Sequence, residues 1–452
     1  MNQANQTIQV IVIGAGAAGM MAACAAAGTG ARVLLLEKNE KAGKKIYITG
    51  KGRCNFTNAC ETEDFFASVP RNPRFLYSSV YSFDPHAVID WFEEHGVKTK
   101  VERGLRAFPV SDHASDITRC LEREMKRLGV EVRLNSGVKE LLVREAAEGP
   151  DPGRECVDGN AKPSSGRGKR DTAPPVKKQV YGVCMEDGRK LLSGSVIVAT
   201  GGLSYPSTGS TGDGFRFARA AGHMVSALSP SLVPFNVKEK DILKLQGLSL
   251  KNAAFTVFDK KRKLFHEMGE MMFTHFGVTG PLVLRASSVI QDQIAKGELR
   301  AQIDLKPALT VEKLDARILR EFDENRNRSF RNAVRGLYPS GMIPVIIERC
   351  GIDPDRPVHD ITAAQRRELI RQTKEFELTI TSLRGFGEAV ITRGGVSVRQ
   401  IDPGSMESKL VKGLYFAGEV LDVDAMTGGF NLQIAWSTGR AAGDAAGCRA
   451  RS

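Results

Sequence analysis

The sequence predicts an α/β protein in which one βαβ-type domain, built from both chain ends, is interrupted by a β-rich domain and a helical subdomain. Three observations predict it. Val10-Ile11-Val12-Ile13 runs into Gly14-Ala15-Gly16-Ala17-Ala18-Gly19, then a small-residue helix (Met20 to Ala27) and a second apolar strand ending at Glu37. From about residue 203 to 383 the βαβ rhythm disappears. Short strands ending in glycine then return, and a helix from about Asn431 to Ala446 closes the chain.

Each part of the opening motif has a physical task. Gly14 permits the tight turn, Gly16 lets the backbone approach a pyrophosphate, and Gly19 lets helix and strand pack closely. Ala17 and Ala18 lie in the turn that leads into the helix, whose unpaired N-terminal amides attract an anion. Glu37, with Lys38 beside it, stands where a carboxylate accepts hydrogen bonds from ribose hydroxyls and disfavours a 2′-phosphate. The expected ligand is therefore FAD or NAD(H).

Composition narrows the class. With 452 residues, 42% hydrophobic, the chain can bury more than one core. No secretory signal is expected at the polar start, and the four glycines from Ile8 to Gly28 argue against a membrane span. Eight scattered cysteines without ligand spacing predict reduced thiols, no metal and a cytoplasmic location. A net charge of +12 favours a polyanionic partner, nucleic acid among them.

Along the chain, residues 1–203 read as the N-terminal part of the nucleotide-binding domain. Residues 147–178, rich in Pro, Gly, Ser and charge, read as a disordered insertion between strands Val138–Arg144 and Gln179–Met185. Residues 204–309 alternate like antiparallel strands, for example Ala253–Phe258 and Leu299–Asp304. Residues 310–383 form the helical subdomain, with apolar spacing at Leu314, Ile318 and Phe322, and residues 384–452 complete the first domain.

Near the C-terminus, Gly413 to Glu419 is an apolar strand ending in an acid that can hold a ribityl hydroxyl. Gly428-Gly429-Phe430-Asn431 then opens a helix whose positive end suits a flavin ring that gathers negative charge on reduction. These features favour FAD as the bound dinucleotide. The loop Gly50 to Asn58 offers Gly52, Arg53, Cys54 and Asn55 to phosphate or flavin, with a thiol role for Cys54 as the bolder alternative to packing. Ala199-Thr200-Gly201-Gly202 ends another strand at the same level, and Thr208 to Gly214 either binds phosphate or caps a helix. Because only one G-x-G-x-x-G is present, a nicotinamide donor would dock without a fingerprint of its own.

The combined motifs resemble the BaiN/RdsA (YhiN-like) bacterial NAD(P)/FAD-dependent oxidoreductases. They are Gly14-x-Gly16-x-x-Gly19, Lys44-Lys45-x-x-x-Thr49-Gly50-x-Gly52-Arg53-Cys54-Asn55, Phe273-Thr274-His275-Phe276-Gly277, Gly418-Glu419-x-x-Asp422 and Gly428-Gly429-x-Asn431-x-Gln433. The resemblance implies a two-dinucleotide-binding-domain flavoprotein with Lys45 and Gly418 among the cofactor contacts. It also implies FAD as cofactor and NAD(P)H as electron donor. Activities ascribed to the family are dihydrouridine formation in large-subunit ribosomal RNA, reduction of a conjugated bile-acid double bond, and oxidation of a small aminoketone. Ribosomal RNA or its precursor suits the positive charge, with a basic face expected at Arg326, Arg328, Arg331 and Arg335, then Arg366, Arg367, Arg371 and Lys374. His275 is the candidate proton donor to a C=C bond. A flavin-containing RNA-binding protein without catalysis is the alternative from another class.

Overall fold

The computed structural model describes residues 8–145 and 178–451, so the expected disordered insertion, Lys178 excepted, lies outside the described residues. The chain divides into two units, one formed by residues 1–202, 208–227 and 394–452, the other by residues 203–207 and 228–393.

The first unit centres on a five-stranded parallel sheet. Its order is Leu414–Phe416, Ser195–Val198, Val10–Ile13, Val33–Leu36, Glu131–Arg133. Val10–Ile13 pairs in register with Ser195–Val198 on one side and Val33–Leu36 on the other. All twelve residues of these three strands are buried, which is why they read as continuous apolar runs and not as alternating ones. The strands of both chain ends thus lie side by side in one sheet.

Two helices join those ends a second time. Ala17–Gly28 packs along Phe430–Arg451, and the contact is made by small residues. A Cβ added to Gly439 would stand 2.4 Å from the Ala18 carbonyl oxygen, one on Gly443 2.3 Å from that of Ala22, and one on Gly447 2.8 Å from that of Ala26. The spacing of four keeps these glycines on one helix face, so the backbones meet with no side chain between them. The closing helix is longer than its expected span because it continues to Arg451.

The second unit is a closed six-stranded barrel with helices. Its order is Phe235–Val237, Gly277–Thr279, Arg262–Phe273, Ser249–Asp259, Leu299–Asp304, Phe376–Leu383, and the last pairs with the first. Alternation sets the two faces. Leu299, Ala301 and Ile303 are buried between the more exposed Arg300 and Gln302, and Phe376, Leu378 and Ile380 repeat the pattern. The helices Val311–Glu324, Ile343–Cys350 and Ala363–Lys374 share the barrel's apolar core through Leu314, Ile318, Ile346 and Leu369.

The units differ from the expected boundaries at both edges. Residues 208–227 belong to the first unit, whereas the sequence placed them in the β-rich insertion. At the return, Ile391–Arg393 pairs antiparallel with Ser229–Ser231, which keeps residues up to 393 in the second unit. Among the described residues no helix is long and apolar enough to cross a membrane.

Candidate cofactor site

The three fingerprint glycines have three different surroundings. Gly14 has φ +100°, and a Cβ there would stand 2.6 Å from the Ala199 carbonyl oxygen. A Cβ on Gly19 would fall 1.8 Å from the Gly14 carbonyl oxygen, so the helix rests directly on the turn. Over Gly16 there is nothing within 4 Å. Two glycines are therefore required by the protein's own packing, and the third opens onto free space. That space adjoins the start of Ala17–Gly28, whose cap Gly16 provides no side-chain acceptor for the first amides.

Glu37 closes this end of the site. Its Oε2 accepts from the Ala15 amide at 2.7 Å, and its Oε1 accepts from the Asn39 backbone and side-chain nitrogens at 2.9 and 2.6 Å. A carboxylate offers about four acceptor positions, so one on Oε2 remains for a ligand hydroxyl. Lys38 is ion-paired with Asp213 at 2.6 Å and also touches the Thr211 hydroxyl. Asn39 donates to the Thr208 carbonyl at 3.2 Å. The glycine-rich loop from Thr208 thus folds onto residues 37–39. Asn39 was missed by sequence reasoning, although its place two residues after Glu37 is the signal.

At the other end Gly418 lies against Ala18, and Glu419 pairs with Lys45 at 2.6 Å, both largely screened from solvent. Gly428 and Gly429 open the closing helix, and a Cβ on Gly429 would sit 2.3 Å from the Thr57 carbonyl oxygen. The strand after the Gly-Arg-Cys-Asn loop is stapled there. Thr57 donates to Gln433 Oε1 at 2.5 Å, Asn58 to the Gly428 carbonyl at 3.1 Å, and Trp436 Nε1 to the Phe56 carbonyl at 2.8 Å.

Four expected contacts are revised. Arg53 faces the small sheet that includes Arg106–Pro109: it pairs with Glu102, with Asp112 at 2.6 Å, and lies 4.3 Å over the Phe108 ring. Both carboxylates hold its charge, leaving no free guanidinium for a phosphate. Asn431 is spent on a loop clasp, donating to the Ala425 carbonyl at 2.7 Å and accepting from its amide at 2.9 Å. Gly429 is required by the Thr57 backbone itself, where the expectation invoked the approach of a ring. Cys54 is fully buried, and burial pushes its thiol up to about 12, so no thiolate is present at neutral pH.

Two other expected contacts keep unused polar atoms. Asn55 Oδ1 and Thr200 Oγ1 are buried without a hydrogen-bond partner. Buried polar atoms are normally satisfied, so such orphans mark places where a ligand completes the bonding. Gly201 has φ +70° and would bring a Cβ within 2.9 Å of Ser210 Oγ, while the Gly202 carbonyl accepts from the Gly212 amide at 3.1 Å. Gly52 adopts φ +87°. The space over Gly16, the helix amides, the remaining Glu37 acceptor and the two orphaned oxygens fit a dinucleotide such as FAD.

His275 belongs to the second unit, in the exposed turn between Arg262–Phe273 and Gly277–Thr279, with its ring edge-on to Phe276 at 4.9 Å. The expected basic face is in part neutralised there. Arg331 pairs with Asp355, Arg366 with Asp315, Arg371 with Glu368 and Lys374 with Asp304. Among the described residues no cluster of His, Cys, Asp and Glu could hold a metal ion.

Comparison with known proteins agrees with this division. Residues 8–149 match the HI0933-like protein Rossmann domain, and residues 229–391 match the HI0933-like protein barrel and H2TH domain. The chain belongs to the HI0933-like family. Over 96% of its length it is 32% identical to the 3-dehydro-bile acid delta(4,6)-reductase of Clostridium scindens, covering 98% of that protein. It is 30% identical, again over 96% of its length, to the ribosomal RNA dihydrouridine synthase of Haemophilus influenzae, covering 97% of it. Among solved structures, a 3-ketosteroid delta1-dehydrogenase from Sterolibacterium denitrificans shares the fold, with 12% identity, 98% of this chain and 100% of that one covered, and a TM-score of 0.52. Family membership makes this chain an oxidoreductase.

Proposed function

We propose that the chain binds FAD through both of its ends and, with NAD(P)H as donor, reduces the C=C bond of uridine in large-subunit ribosomal RNA, in the cytoplasm. The observations that carry this reading are the open space over Gly16 and the unpartnered buried oxygens of Asn55 and Thr200, in a chain that matches a ribosomal RNA dihydrouridine synthase over 96% of its length. Bound there, FAD supplies hydride transfer to an electron-poor carbon.

The chain's own residues position and protonate. Amides at the start of Ala17–Gly28 receive the pyrophosphate, Glu37 a ribose hydroxyl, and Asn55 and Thr200 the remaining polar edges. The Lys45–Glu419 pair keeps a carboxylate oriented beside the closing helix. His275 supplies the proton to the second carbon. Its support is exposure, together with ring nitrogens that have no hydrogen-bond partner among the described residues. His275→Ala enzyme should accept electrons from NAD(P)H normally yet lose product formation by about 100-fold; an unchanged yield would remove His275 from the reaction. A uridine within folded RNA must leave its stack to react, which favours a bare or unfolded segment as substrate.

Mass spectrometry of ribosomal RNA from cells with and without the gene tests the reading, the expected sign being a two-dalton difference at one uridine. The match to a bile-acid reductase favours a second reading, a small conjugated enone. Salt separates them, since activity on RNA should fall steeply with ionic strength and activity on an enone should not.

A further inference from the structure

The helical part of the second unit sorts its cations into paired and unpaired sets, and the unpaired ones lie where the run of arginines did not point. On Val311–Glu324, Lys313, Arg317 and Arg320 follow one another at intervals of four and three, which places them on one helix face. None of the three forms an ion pair with a described residue. With Leu309 and Ala316 they line an open groove of about 620 Å³. Arg317 is steadied by donating to the Gly336 carbonyl at 3.2 Å.

A fourth cation stands beside them. Lys306 is half-buried, and burial together with the charge of Arg317 lowers its pKa. The loop that carries it is anchored from beneath. Lys374 Nζ donates to the carbonyls of Lys306 and Leu309 at 3.2 and 2.7 Å while pairing with Asp304 at 2.5 Å. Nearby acids do not cancel the groove. Asp315 is engaged by Arg366, and Glu321 and Glu324 border an adjoining hollow shared with Arg317 and Arg320. Holding these like charges close together disfavours the free protein, and an arriving anion relieves it.

We propose that this groove binds the phosphates of a single-stranded RNA backbone, a site that rests on the ribosomal RNA reading above. A rise of 1.5 Å per residue sets Lys313 and Arg320 about 10 Å apart along the helix, room for more than one phosphate. The apolar lining is Leu309 and Ala316, with no aromatic side chain on which a base could stack. The groove therefore positions RNA without reading its sequence.

The test measures binding of a short fluorescein-labelled single-stranded RNA to the full chain across a salt series. One variant is Lys313→Gln/Arg317→Gln/Arg320→Gln, which keeps the aliphatic stems. Its charge-matched control is Lys244→Gln/Arg331→Gln/Arg371→Gln, which removes the same charge from ion-paired positions. The groove variant should lose about tenfold in affinity and about 2 from the slope of log K against log salt, while the control stays near wild type. Lys306→Met should remove roughly 0.7 from the slope and serves if the triple variant does not fold. Equal weakening of groove variant and control would overturn the proposal, as would wild-type binding by the groove variant. Competition by inorganic pyrophosphate as effective as by RNA would assign the groove to a free anion instead. If wild-type protein reduces uridine and the groove variant does so equally well, the groove fails and the RNA reading stands; if wild type neither binds nor reduces RNA, both fall.

Discussion

The glycine turn at Gly14–Gly19 and the closing helix Phe430–Arg451 use the same residue for opposite ends. In the turn, Gly16 leaves space: nothing lies within 4 Å of where its Cβ would be. In the helix, Gly439, Gly443 and Gly447 use space up, bringing two backbones to distances that no side chain survives. A glycine in a nucleotide-binding domain is thus not evidence of a ligand until its surroundings are known. One kind protects the fold, the other protects the site, and substitution should tell them apart.

The largest effect is expected on the packed side. Gly443→Leu forces its side chain onto the Ala22 carbonyl and should cost roughly 3 kcal/mol or more, read as a large fall in melting temperature or loss of folded protein. A variant that melts like wild type would break the comparison at once.

The same unit buries a histidine that has no acidic partner among the described residues to hold its charge. His223 is buried, with Nε2 2.8 Å from Ser408 Oγ and its ring edge-on to Phe416, and burial lowers its pKa to about 4. Its pKa is depressed in the folded state. Above pH 6.5 both states are neutral and nothing is lost; below it the unfolded chain takes up a proton that the fold refuses. Stability should therefore decline between about pH 6.5 and 4, by up to roughly 3 kcal/mol from this residue. Denaturant titrations of wild type and His223→Gln check it, because the variant should lack that component of the decline.

The smallest effect concerns Cys54. Since its thiol is buried and protonated, Cys54→Ala should lose about 1 kcal/mol of stability from the packing defect and turn over substrate at the wild-type rate. A variant that folds but is inactive would restore the thiol mechanism.

Much of this was legible in the sequence. The parallel sheet announced itself through continuous Val, Ile and Leu runs, because burial on both faces leaves no room for alternation. Gly14 has the turn conformation and Gly19 the close packing that the motif's spacing predicts. Arg53 was misjudged because its partners, Glu102 and Asp112, are set by tertiary pairing, whereas Asn431 clasps Ala425, six residues before it, a local loop bond the helix-opening motif does not announce. Closure of the barrel was hidden likewise, since pairing between Phe235–Val237 and Phe376–Leu383 joins segments far apart in the chain. The glycine stripe was readable as a spacing of four, yet only the partner helix gives that spacing a meaning.

The most direct test of the central claim is the flavin content of Gly16→Val protein beside wild type, with thermal melts of both apo forms. Gly16 has φ −81° and open surroundings, so valine is tolerated by the fold and obstructs only what approaches from outside. The account predicts FAD in wild type, less than about a tenth as much in the variant, and matching apo melting curves. A variant carrying a full complement of FAD would contradict it.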